Sequence, residues 1–101
     1  MTRAAEIILA NEAAARADRH AERAAIRAFA AAAALRWACV CSPTPETLTI
    51  ALQRVVRTGE AAIAALQKRE VAQEAVQLAW RNSEREADGD GRRDGSRASQ
   101  N

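Results

Sequence analysis

The side chains best suited to hold a metal in this sequence are two thiols and one imidazole, at Cys39, Cys41 and His20. Thiolate sulfur and imidazole nitrogen are zinc ligands, but a zinc knuckle separates its cysteines by two to four residues. Cys39-Val40-Cys41 leaves only one between them, and in a continuous helix His20 would stand about five turns, roughly 29 Å, away. Two cysteines this close make no disulfide framework either. The expectation is no metal and no cofactor, with both thiols buried or packed against the loop that follows them.

Carboxylates come in pairs at helical spacing, Asp18 with Glu22 and Glu70 with Glu74. A di-iron bundle would require Glu-X-X-His projecting inward, and Ala17 stands where that glutamate should precede His20. Arginines surround both pairs, and Glu12 precedes Arg16 at the spacing of a surface ion pair, so these acids read as solvated faces. The sequence has no glycine-rich phosphate loop and no serine, histidine and aspartate arrangement. No enzyme is expected.

Basic residues give the stronger signal. Arg16, Arg19, Arg23 and Arg27 fall in a row on one helical face, whereas Arg54, Arg57, Lys68 and Arg69 look scattered over a later segment. Aligned guanidinium groups can track phosphates or grip an acidic protein surface. Asp18 and Glu22 flank the row, and no aromatic residue interleaves it for base stacking. The row reads first as a solubilising face; where it binds, it is assigned to an acidic surface of a protein partner, with nucleic acid as the alternative.

The scaffold that positions these residues follows from composition and punctuation. Of 101 residues 27 are alanine, three are aromatic (Phe29, Trp37, Trp80), four are glycine and two are proline. Strand-forming and turn-forming types are both scarce, which excludes sandwiches, barrels and Rossmann-type sheets. The net charge is only +2, without the one-sided excess of a dedicated nucleic-acid arm. The longest apolar run, Ala28 to Leu35, is far short of the ~20 residues that span a bilayer, and the first twenty residues do not resemble a signal peptide. A cytoplasmic protein with no membrane partner is expected.

Glycine and proline are absent from residues 1–41, and the sequence then turns through Ser42-Pro43-Thr44-Pro45-Glu46. Two prolines stop a helix, while Thr44 as N-cap, Pro45 at the first helical position and Glu46 in the first turn start another. The spacing predicts one domain over 1–84, with a helix over 3–40, a turn at 42–45 and a second helix over 45–84. The segment 85–101 is glycine-rich, heavily charged and without large apolar side chains, so it is expected to be a disordered tail.

Heptad spacing supplies the packing surface. In the first helix it selects Ile7, Ala10, Ala14, Ala17, Ala21, Ala24, Ala28, Ala31, Leu35 and Ala38, a seam that excludes every charge of that helix. The second helix matches it with Ala51, Val55, Thr58, Ala62, Ala65, Arg69, Ala72, Val76 and Ala79. The fold class is thus all-α, an antiparallel two-helix hairpin with a coiled-coil-like, alanine-rich seam. A second stripe of larger residues remains: Ile26, Phe29, Ala33, Trp37 and Val40, then Leu48, Leu52, Val56, Gly59, Ile63 and Leu66. A hairpin has one internal seam, so this stripe is expected to mediate homodimerisation into a four-helix bundle, with Ile26, Phe29, Trp37, Val40, Leu52, Val56, Ile63 and Leu66 as its contacts. Gly59 is expected to admit a close neighbour or to kink its helix.

The outline resembles the secreted Trp-X-Gly helical hairpins, although Trp37-Ala38-Cys39 lacks the glycine and no tyrosine is present for their tail signal. The proline turn is similar to the corner of type III secretion needle subunits, with a different proline spacing. Both resemblances imply action by packing against other proteins. The functional expectation is a protein-protein interaction module that sterically occludes or adapts a partner, as inhibitors encoded by phages and mobile elements do. Alternatives are a helical secretion chaperone or adaptor, and a nucleic-acid-associated regulator using the arginine row. Removing residues 89–101 should leave the melting temperature, followed by circular dichroism, within about 2 °C of the full chain, because that segment has nothing with which to build a core. A larger fall would show that the tail packs.

Overall fold

In the computed structural model, described for residues 2–41 and 43–100 and for side chains through residue 87, two helices pack side by side and the described residues hold no strand. Helix α1 runs Arg3–Val40 and helix α2 runs Pro45–Gln100. The expected start of both helices and the end of α1 agree with these bounds. The helical backbone of α2 continues past residue 84, and the tail expected over 85–101 falls largely on residues whose side chains lie outside those described.

Local chemistry explains each boundary that positions the hairpin. Thr2 caps α1, its hydroxyl accepting from the Ala5 amide at 3.1 Å, and Glu6 sits in the first turn where the helix dipole favours an acid. At the other end the Cys41 amide closes onto the Trp37 carbonyl at 3.1 Å. Thr44 repeats the N-cap for α2, accepting from the Thr47 amide at 3.2 Å, with Pro45 as the first helical residue. The Thr44 and Thr47 hydroxyls also meet at 2.8 Å. Both starts are therefore fixed locally, by threonine hydroxyls within the first turn.

Packing follows the alanine seam. Every seam residue named from the sequence is buried or half-buried, in both helices. The fully buried positions are Ala21, Ala24, Ala31 and Ala65, all alanine; Ala21, Ala24 and Ala65 form one cluster with Ala62 packed against it. Leu48, assigned above to the outer stripe, is half-buried and extends the α2 seam by one step, because it precedes Ala51 by three residues. Thr58 is tolerated in the seam because its hydroxyl bonds back to the Arg54 carbonyl at 2.7 Å, which removes an otherwise unpaired polar group. Arg69 is the costlier defect. Its Nε lies buried without a hydrogen bond, 3.9 Å from the Asp18 carboxylate.

The helices run antiparallel, with Arg3 of α1 against Glu86 of α2 and Asp18 against Arg69. The hairpin is 19 × 15 Å in cross-section, which leaves room for no third layer. Helix α2 passes through Gly59 without a break, and apart from its own neighbours in the helix no atom stands within 4 Å of where a Cβ would lie there. Within the hairpin, then, Gly59 provides neither the close approach nor the kink expected of it. Glycine simply costs about 1 kcal/mol against alanine in a helix interior.

Gly59→Ala should raise unfolding stability by roughly 0.5 to 1 kcal/mol in a urea titration. Ala65→Leu, two turns away in the closed seam, should lower it by about 1 to 3 kcal/mol through overpacking. Equal responses would mean that the seam is not where the helices touch.

The open end of the hairpin is tied by Arg3, which bonds Glu6 at 3.1 Å and Glu86 across the seam. The hydrogen bond from Arg3, with the attraction of its charge, holds the Glu86 carboxyl below the usual carboxylate range despite partial desolvation, and Glu86 holds Arg3 more firmly protonated. Glu86 stays ionised to lower pH in the folded chain than in the unfolded one. The stabilisation is thus present above the unfolded carboxylate value of about 4.3 and is lost as pH falls through the lower, folded value. Amide exchange in the first turns of α1 should accelerate over that interval, and Glu86→Gln should remove the dependence.

Candidate interaction surface

With only alanines enclosed, the larger apolar side chains stand outside. Fourteen large hydrophobic residues of the described chain are exposed, from Leu66 at 41% to Phe29 at 79%, and no large side chain is fully buried. All eight residues expected to self-associate are among them: Ile26, Phe29, Trp37, Val40, Leu52, Val56, Ile63 and Leu66. They do not form one surface.

The helical step sorts them. Leu66 of α2 lines a groove across the hairpin with Ala25 of α1, together with Asp18, Glu22, Arg69 and Gln73. Phe29 lies four residues after Ala25, one turn on and on the same side, while Ile63, Gly59, Val56 and Leu52 continue from Leu66 at steps of three and four. Phe29 and the four large α2 residues therefore share one flank of the hairpin, its apolar face. Val40 instead lines a hollow with Ala33, Arg36 and Trp37 on α1 alone, and Ile26, seven residues before Ala33, lies on the same outer ridge; Trp37, seven residues after Ala30, forms the edge of that ridge towards the flank of Arg16 and Arg23. The sequence could not make this division, because it depends on which flank of α1 borders which flank of α2.

The opposite flank is basic. Arg27 of α1 meets Arg54 and Arg57 of α2 around a groove whose floor is Ala30, Ala31, Ala34 and Thr58. Arg23 and Arg16 precede Arg27 and Ala30 at steps of four to seven on that flank, and Lys68 follows Arg54 by two heptads. Arg19, at the heptad position of Ile26, sits on the outer ridge between the two flanks. All of these cations are exposed. The α2 bases that look scattered along the sequence are thus gathered beside the α1 row, except Arg69, which the seam takes. Three acids lie on the other side, Asp18 and Glu22 bordering the Leu66 groove and Glu70 beside Ile63 and Leu66, while Glu12, Glu60 and Glu74 stand on the outer ridges.

Both thiols are exposed, contrary to the expectation that they pack away. Cys39 and Cys41 lie at the end of α1, where a two-helix hairpin has no layer left to cover them. Among the described residues no group of three or more histidine, cysteine, aspartate and glutamate side chains could hold a metal ion, and no helix is long and apolar enough to cross a membrane. Comparison with known proteins finds no matching family model, no matching curated protein and no matching solved structure.

Proposed function

We propose that the chain is a non-enzymatic interaction module of the cytoplasm, which dimerises through its apolar face and acts by covering the surface of a partner. Such steric action is what small inhibitors encoded by phages and other mobile elements use. The observation that carries the reading is the inverted distribution of side chains, with alanine inside and leucine, isoleucine, phenylalanine and tryptophan outside. Large apolar side chains gathered in one exposed strip, Leu52, Val56, Ile63 and Leu66 with Phe29, mark an interface.

The occupant of the apolar face is best supplied by a second copy. Glu22, Phe29 and Arg36 follow one another at steps of seven along the border of that face. A two-fold axis near Phe29, with the two hairpins antiparallel, sets Glu22 of one protomer opposite Arg36 of the other, twice. Leu52, Val56, Ile63 and Leu66 then meet their counterparts in the middle, and the product is a four-helix bundle. Ile26, Trp37 and Val40, on the outer ridge, stay outside this bundle and free for a partner, as do Arg16, Arg19, Arg23 and Arg27.

Sedimentation equilibrium at micromolar concentration should report a dimer, and Ile63→Arg should convert it to a monomer of unchanged helicity. Glu22→Arg and Arg36→Glu should each weaken association, while the two together should restore it. A wild-type monomer would refute the bundle, and a double variant no better than the singles would refute this orientation.

A further inference from the structure

We infer that the basic flank of the hairpin is a binding site for double-stranded DNA, gripped through its phosphates. This deepens the module reading by naming the chemistry of its partner, and it does not depend on the dimer. Arg16, Arg23 and Arg27 of α1 and Arg54, Arg57 and Lys68 of α2 form two rows along one flank. None of the six is in an ion pair among the described residues, whose pairs involve only Arg3 and Arg69. Counting from Asp18 opposite Arg69, Lys68 is level with the start of the α1 row, and Arg54 lies just beyond Arg27. The rows therefore extend about 24 Å at 1.5 Å per residue, the length of roughly seven base pairs.

Three features favour DNA phosphates over an acidic protein or a single strand. Protein interfaces are anchored by apolar and aromatic side chains and are depleted of charge at their centre, whereas the centre of this flank is cationic over a floor of Ala30, Ala31, Ala34 and Thr58, and its exposed large apolar side chains, Trp37 and Ile50 at one end and Val71 at the other, stand at the ends of the rows. Single-stranded nucleic acid is held by bases stacking on aromatic rings, and none lines this groove. The third is length: rows of about 24 Å follow a duplex backbone for roughly seven base pairs.

Asp18, Glu22 and Glu70 border the opposite flank, while Glu60 on the outer ridge stands beside Arg57. A chain at +2 can still present a basic flank when part of its acid lies elsewhere.

The full chain, titrated into a fluorescein-labelled 20-base-pair DNA of arbitrary sequence, is expected to raise its anisotropy at 50 mM NaCl. The logarithm of affinity should fall against that of salt with a slope of about −4 to −5. Arg57→Glu and Arg54→Glu should each lower affinity at least tenfold, and Lys68→Gln should reduce the slope by about 0.9. Arg81→Glu makes the same change in net charge on the outer α2 ridge that Glu60, Gln67 and Glu74 occupy, and it should have little effect. Circular dichroism checks that each variant is folded, and sedimentation reports the dimer separately. No binding at 50 mM NaCl would overturn the proposal, as would equal losses from Arg81→Glu and Arg57→Glu. Tighter binding of poly-glutamate would reassign the face to an acidic protein, and tighter binding of duplex or single-stranded RNA would reassign it to RNA.

Discussion

Everything in this hairpin depends on what separates its two helices, which is alanine methyl groups. Ala21, Ala24, Ala31 and Ala65 are the buried residues, and they let the backbones approach closely while enclosing little apolar volume. A burial of this size contributes far less than a leucine seam would, at roughly 25 cal/mol per Å². Helix capping by Thr2 and Thr44 and the short proline turn consequently matter more here than in a protein with a large core. The same constraint leaves most bulky side chains outside, with Ile7, Leu35, Leu48, Val55 and Val76 half-buried along the seam. An alanine seam thus specifies the hairpin and, by exclusion, creates the surfaces through which it can act.

Exclusion leaves a sorted surface rather than a random one. A helix that gives two heptad positions to its seam has two flanks and an outer ridge left, and α1 uses all three differently. Phe29 joins the α2 apolar strip on one flank, Arg16, Arg23 and Arg27 meet Arg54 and Arg57 on the other, and Ile26, Trp37 and Val40 occupy the ridge between them. A seam so thin tolerates few defects. Thr58 is accommodated by bonding to its own helix, while Arg69 stays in the seam with its Nε unpaired and its charge 3.9 Å from Asp18. Both side chains are about half exposed, so the charge of Arg69 stays hydrated and the pair with Asp18 contributes little beyond what a surface ion pair does.

What the sequence reveals, and what it conceals, separates along the line between one helix and two. The heptad positions, the cap at Thr44 and the end of α1 follow from residues close together in the chain, and each is found where spacing puts it. The position of Leu48 was legible as well, three residues before Ala51, once the seam was extended backwards. The division of the large apolar residues was not, nor was the assembly of Arg54, Arg57 and Lys68 beside the α1 row. Those depend on the rule that antiparallel helices set like flanks together, which no wheel drawn for a single helix contains. The thiols were misjudged for a related reason: Cys39 and Cys41 would be covered only if the loop or a further layer folded over α1.

Segregation of the two flanks also decides how the proposed activities combine. Dimerisation consumes the flank that carries Leu52, Val56, Ile63 and Leu66, and that face is on the side of the hairpin away from Arg27, Arg54 and Arg57. Self-association therefore neither masks the cations nor requires them to move. In the antiparallel bundle the two basic flanks point outward in opposite directions. One straight duplex could not lie against both, so pairing two hairpins would raise affinity for a single short DNA very little, whereas two duplexes, or two distant stretches of one, could be held together. A module arranged in this way gains by joining segments of DNA rather than by gripping one segment more tightly.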